Sequence, residues 1–179
     1  DLGRILDAKR LPLEGALRLS RQAFLGLGAA HDVGIVHRDV KPSNLFVLHD
    51  MKTLKVMDFG LATAHDMGRQ YTRPGRIVGT PAYLAPERLD GEQDVEPSVD
   101  IYAMGVVLYE AVVGKLPFRR AHLQGLFKQI LSESPVAPKE RVSGVPDLIN
   151  DLILSLLEKD PANRPSTCAE ALSVLNTVL

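Results

Sequence analysis

Apolar positions along this chain follow two different periods, and the change from one to the other divides it into regions. Leu13, Leu17, Phe24 and Leu27 are spaced by four, seven and three residues, so they fall on one face of a helix. Pro12 suits the first turn of that helix, because its missing amide would be unpaired there anyway. Gly34 suits its stop. Leu45-Phe46-Val47-Leu48 and Leu54-Lys55-Val56-Met57 read as strands, and His49-Asp50-Met51-Lys52 between them predicts a hairpin. From Asp58 to Glu87 periodic apolar residues are sparse, and a loop that long in a compact domain is either functional or disordered.

From Pro97 to the end the pattern is helical. Ile101 to Val113 is apolar nearly all round, which predicts a buried helix capped by Ser98 and closed by Gly114. It falls short of the roughly 20 residues a bilayer requires, and Asp100 and Glu110 sit at or inside its ends. Leu148, Ile149, Leu152, Ile153, Leu156 and Leu157 form a double stripe on a further helix. Thr167 and Glu170 have the spacing of a capping box at the start of the last one. These elements predict a mainly α domain with a small β element beside a polar loop.

Composition narrows the class. The chain has 179 residues, 45% hydrophobic and 24% charged, enough for one soluble domain with a sizeable core. A formal net charge of −1 gives no electrostatic reason to expect nucleic acid or an anionic membrane as partner. Cys168 is the only cysteine, which excludes an intrachain disulfide and a Cys-based zinc site and fits a cytoplasmic setting. His31, His49, His65 and His122 lack metal-ligand spacing. Asp1-Leu2-Gly3-Arg4 lacks the basic-then-apolar order of a signal peptide and any initiator methionine, so the chain is expected to start partway through a larger protein.

The chemistry is concentrated in His37-Arg38-Asp39-Val40-Lys41-Pro42-Ser43-Asn44, a polar loop that ends where the first strand begins. Asp58-Phe59-Gly60 follows the second strand directly. A hairpin with Asn44 before one strand and Asp58 after the other brings both oxygen ligands to the same end. Such oxygens suit Mg²⁺, which is usually held by few protein ligands plus phosphate oxygens. Asp39 is within short reach of that position, and Lys41 supplies positive charge for a phosphoryl group.

Taken in order, this loop, the Asp-Phe-Gly tripeptide, Gly79-Thr80, Ala85-Pro86-Glu87 and Arg164 resemble the protein kinase family over essentially the whole chain. The resemblance implies that residues 1–179 form a large, C-terminal kinase lobe, mainly α with a short β-hairpin beside the catalytic loop. The small lobe, with its Gly-rich loop, strand lysine and adenine-binding hinge, is absent from the chain. It implies ATP and Mg²⁺ as cofactors. Asp39 would accept the substrate hydroxyl's proton, Asn44 and Asp58 would hold Mg²⁺, and Lys41 would neutralise the transferred γ-phosphoryl. His37 and Phe59 would be packing residues, and Glu87 would pair with Arg164. Asp100 would anchor the catalytic loop, or else simply cap its own helix.

Lys41, two residues after Asp39, and Gly79-Thr80-Pro81-Ala82-Tyr83 resemble the Ser/Thr type, with Thr80 touching Asp39 and Lys41. The implied partners are protein substrates bearing Ser or Thr and ATP, with no nucleic acid and no membrane contact from this segment. Ser43, where basic-directed kinases often carry Glu, implies no strong arginine preference. Arg38 before Asp39 implies control by activation-loop phosphorylation, with Thr72 as the expected site. Arg69, Arg73 and Arg76 would either receive that phosphate or form a solvated loop. The overall style resembles bacterial receptor-like kinases. Two functions stay open at this point: a Ser/Thr kinase lobe that is catalytic in its intact parent, and an inactive lobe serving as a substrate- or regulator-binding module.

Overall fold

The computed structural model describes residues 1–8, 10–59, 81–89 and 96–179. Thr72, Gly79 and Thr80, with Arg69, Arg73 and Arg76, lie outside the described residues. The described residues form eight α-helices, three single 3₁₀ turns and one two-stranded sheet, which is the mainly α architecture the pattern predicts.

The chain enters through α1 (Leu2–Ala8) and turns into α2 (Leu13–His31), whose Ala16, Leu17, Ala23, Phe24 and Leu27 are buried. Pro12 flanks α2 rather than occupying its first turn, and its carbonyl accepts from the Ala16 amide at 3.0 Å. The helix ends at His31. Gly34 reverses the chain at φ 76°, a left-handed conformation that costs glycine little.

Strands β1 (Leu45–Val47) and β2 (Leu54–Val56) pair antiparallel, with Leu45 opposite Val56 and Val47 opposite Leu54. Period-two alternation turns Leu45, Val47 and Leu54 into the core and leaves Phe46 and Lys55 facing out. Gln22 on α2 holds the hairpin through both ends of its amide, donating to the Lys52 carbonyl and accepting from the Leu54 amide.

A short α3 (Pro86–Leu89) precedes the central helix α4 (Ser98–Val113), in which every residue from Val99 to Tyr109 is buried. α2 packs on one side of α4, and α7 (Asp147–Leu156) packs on another. The expected cap by Ser98 does not form. Pro97 already has helical dihedrals, φ −51° and ψ −25°, so Ser98 lies inside the helix, beyond the position from which a hydroxyl reaches the free amides. Gly114 closes α4 as expected, at φ 78°, its amide donating to the Glu110 carbonyl at 2.7 Å.

α5 (Leu123–Ser132), α6 (Pro138–Arg141) and α8 (Cys168–Val178) complete the fold. In the predicted stripe on α7, Ile149, Leu152, Ile153 and Leu156 are buried, with Leu157 just beyond, whereas Leu148 is exposed. At α8 the capping box moves by one residue: the Thr167 hydroxyl makes no cap bond, and Glu170 instead accepts from the amide and hydroxyl of Ser166. No helix among the described residues is long and apolar enough to cross a membrane.

Candidate active site

The polar loop of residues 37–44 is fixed from below by α4. Asp100, buried to 1% exposure, accepts from the His37 amide (Oδ2, 2.8 Å) and the Arg38 amide (Oδ1, 2.8 Å). Its Oδ2 also accepts from His31 Nε2 at 2.8 Å. A lone buried carboxylate would be costly, and these three donors meet that cost. They also hold Arg38 at φ 71°, a left-handed conformation that a non-glycine residue keeps only when its surroundings impose it. Asp100 thus serves the loop and not its own helix.

Held this way, the loop gathers three of the predicted side chains. Lys41 Nζ donates to Asp39 Oδ2 at 2.7 Å. Asn44 Nδ2 donates to the Asp39 carbonyl at 2.8 Å and to Asp39 Oδ2 at 3.1 Å. Among the described residues nothing donates to Asn44 Oδ1, so that oxygen is open to a cation. A 3₁₀ turn over Pro42–Asn44 delivers Asn44 to the start of β1, with its side chain buried.

Asp58 comes to the same end of the hairpin through Met57. The Met57 amide donates to the Asn44 carbonyl at 2.9 Å, and the Met57 carbonyl accepts from His37 Nε2 at 2.7 Å. Asp58 is exposed and held at φ 61°. The bond from the Asp39 amide to His37 Nδ1 at 3.2 Å makes that nitrogen the acceptor, so the proton of His37 is on Nε2. The His37 and Phe59 rings pack at 4.8 Å, which ties the tripeptide to the loop.

Glu87 and Arg164 form a buried fork at 2.7 and 2.8 Å. Arg164 also donates to the Glu158, Lys159 and Ser98 carbonyls. One guanidinium therefore joins α3, the start of α4 and the turn after α7.

Two features escape a reading of residues alone. The outward face of the hairpin carries Phe46 and Met57, 48% and 47% exposed, an apolar surface beside Asn44 and Asp58. Strand alternation is the signal that could have found it. Beside Lys41 and Ser43 there is also a cleft of about 180 Å³ lined by Asp7, Tyr83 and Glu110. Tyr83 donates to Glu110 Oε2 at 2.6 Å. Burial raises the Glu110 carboxyl above its usual range, the Tyr83 hydrogen bond opposes that, and Asp7 adds to it. The cleft sets Lys41 beside the Asp7 and Glu110 carboxyls, which α1 and α4 supply.

A family model described as protein kinase domain matches residues 2–176. The chain is 38% identical over 180 residues to the serine/threonine-protein kinase pkn3 of Myxococcus xanthus, covering 96% of this chain and 32% of that protein. It is 36% identical over 156 residues to the serine/threonine-protein kinase PknB of Mycobacterium tuberculosis, covering 87% of this chain and 25% of that one. The chain thus spans a third or less of the length of these curated relatives. Its fold matches the crystal structure of Rad53 1–466 in complex with AMP-PNP at a TM-score of 0.76 and 30% identity, over 96% of this chain and 42% of that one.

Proposed function

The chain belongs to the protein kinase family, and from that premise we propose that residues 1–179 are the C-terminal lobe of a protein serine/threonine kinase, transferring the ATP γ-phosphoryl to Ser or Thr hydroxyls of protein substrates. The observation that carries this reading is the hydrogen-bonded cluster of Asp39, Lys41 and Asn44, with Asp58 two residues beyond the strand pairing. Asp39 receives the hydroxyl proton, and its bond to Lys41 holds the carboxylate in place for that task. Lys41 faces the transferred group.

Asn44 Oδ1 and the exposed Asp58 carboxylate fit Mg²⁺ brought in with the nucleotide. Two oxygens are too few to hold the ion alone, and among the described residues no group of three His, Cys, Asp or Glu could do so. Mg²⁺, when bound with ATP, neutralises phosphate charge. The Phe46–Met57 face offers an apolar floor to the base. The relatives named as serine/threonine kinases and the Lys41 position support Ser and Thr as acceptors, and Thr80 is assigned to the same site. The cytoplasm, where ATP is at hand, is the proposed location.

Control by phosphate on Thr72 belongs to the same reading. Arg88 is held below the usual arginine range by burial and then by the neighbouring Arg38. Two adjacent guanidiniums that repel one another favour an anion between them.

The test is phosphate transfer from labelled ATP by the intact protein, followed by phosphoamino-acid analysis. Asp39→Asn is expected to reduce transfer at least about 100-fold, as loss of a general base does, and the label is expected on Ser and Thr. Undiminished transfer by Asp39→Asn, or label mostly on Tyr, contradicts the proposal. Substrate binding with no transfer by the wild type would point instead to a binding module.

A further inference from the structure

The contacts of Asp100 continue beyond the catalytic loop, to the last helix. His31, at the end of α2, donates from Nε2 to Asp100 Oδ2, because a carboxylate can only accept. Its other nitrogen, Nδ1, lies 3.6 Å from Cys168 Sγ at the start of α8. The contact is possible because α2 carries glycine at position 28, where a Cβ would come within 3.3 Å of the Cys168 Cβ. Cys168 is 2% exposed, and burial, followed by the Asp100 and Asp32 carboxylates, pushes its thiol up to about 12. The sulfur therefore keeps its proton at ordinary pH and is a donor.

We propose that Cys168 is a positioning residue for the Asp39 loop: its S–H donates to His31 Nδ1, fixes the Nε2–H form of the ring, and so keeps Asp100 on the His37 and Arg38 amides. The relay runs from α8 through α2 and α4 to a loop held in left-handed backbone at Arg38. Each member has one role available to it. The thiol can donate, Nδ1 can accept, Nε2–H donates, and the carboxylate accepts from the ring and from both amides. Without the S–H donor the ring could turn over or carry its proton on Nδ1. Asp100 Oδ2 would then face a lone pair in place of a donor, inside the core. The positioning role rests on the phosphoryl-transfer reading, whereas the relay itself does not, so the experiment reads the two apart.

The test uses the full-length protein labelled with ¹⁵N-histidine, with His31→Gln identifying the resonance. Long-range ¹H–¹⁵N spectra are expected to show His31 with a bare Nδ1 and a protonated Nε2. Hydrogen exchange at the His37 and Arg38 amides is then compared in Cys168→Val, which lacks a donor at similar volume, and Cys168→Ser, which retains one. Exchange is expected to rise about threefold to tenfold in the Val variant, the range a single net hydrogen bond supports, and to stay near wild type in the Ser variant. α7 amides serve as the reference. A proton on His31 Nδ1, or wild-type exchange at both amides in the Val variant, overturns the proposal. If the Val variant does not fold, the wild-type tautomer and the Ser variant decide the matter. A relay found intact in a protein that transfers no phosphate leaves the relay standing and refutes the phosphoryl-transfer reading.

Discussion

Arg164 illustrates how single residues hold this fold. Its five N–H groups make five hydrogen bonds, two to Glu87 and three to carbonyls, and its guanidinium lies 4.9 Å from the centre of the Tyr102 ring. Glu87→Gln leaves that buried cation without its counter-charge. Unfolding in urea is expected to show a loss of about 3–5 kcal/mol, the usual cost of breaking a buried pair from one side. Tyr102 behaves in the opposite way. Its hydroxyl is buried with no hydrogen-bond partner among the described residues, so it contributes no bond and still loses its hydration. Tyr102→Phe keeps the ring under Arg164 and is expected to leave stability unchanged or raise it by up to about 1 kcal/mol in the same measurement. At this scale the sequence was legible only in part. Glu87 and Arg164 stand out because an ordered set of motifs surrounds them, whereas the orphaned Tyr102 hydroxyl depends on packing that no local pattern reports.

Elements were easier to read than their ends. Apolar periodicity located α2, α4 and α7 because each buries a broad face, and burial dictates residue type directly. Caps depend on one residue's dihedrals, and these are set by neighbours. Pro97, already helical, displaces the role expected of Ser98, and Ser166 takes the partner expected for Thr167. The contact of α4 with α7 is set by Gly105, where an added Cβ would fall 2.7 Å from the Leu156 Cβ. Neither helix can yield without disturbing the core, so Gly105→Ala is expected to cost about 1–3 kcal/mol by overpacking, despite alanine's better helix propensity. A destabilised variant in thermal melts supports this, and a stabilised one contradicts it. The hairpin was legible as strands, and its outward Phe46 and Met57 become meaningful only once Asn44 and Asp58 are seen beside them.

At the scale of the molecule, burial holds the Lys159 cation against its preference. Lys159 sits 4.0 Å from the centre of the Phe118 ring, with a single long bond to the Gln129 carbonyl. Burial, then repulsion from Arg164, lowers its ammonium from 10.5 to about 8, with Glu158 and Glu133 opposing. The sign follows from proton counting: between pH 8 and 10.5 the unfolded chain binds more protons at this site than the folded one, so its contribution to stability rises with pH. Below pH 8 the penalty is fully present. Lys159→Met keeps an apolar contact with Phe118 and removes the titration. The melting temperature of the variant relative to wild type is expected to be most favourable near pH 7 and to decline toward pH 10, and a difference independent of pH contradicts the assignment.

The central claim is that the hairpin ends hold a magnesium nucleotide beside Asp39, and its most direct test is ATP binding by the intact protein as a function of Mg²⁺. Wild-type protein is expected to bind ATP more tightly as Mg²⁺ is added. Asp58→Asn is expected to lose most of that gain, an affinity drop of about tenfold or more, as removal of a charged ligand does. Mg²⁺-dependent binding that survives undiminished in Asp58→Asn would contradict the account.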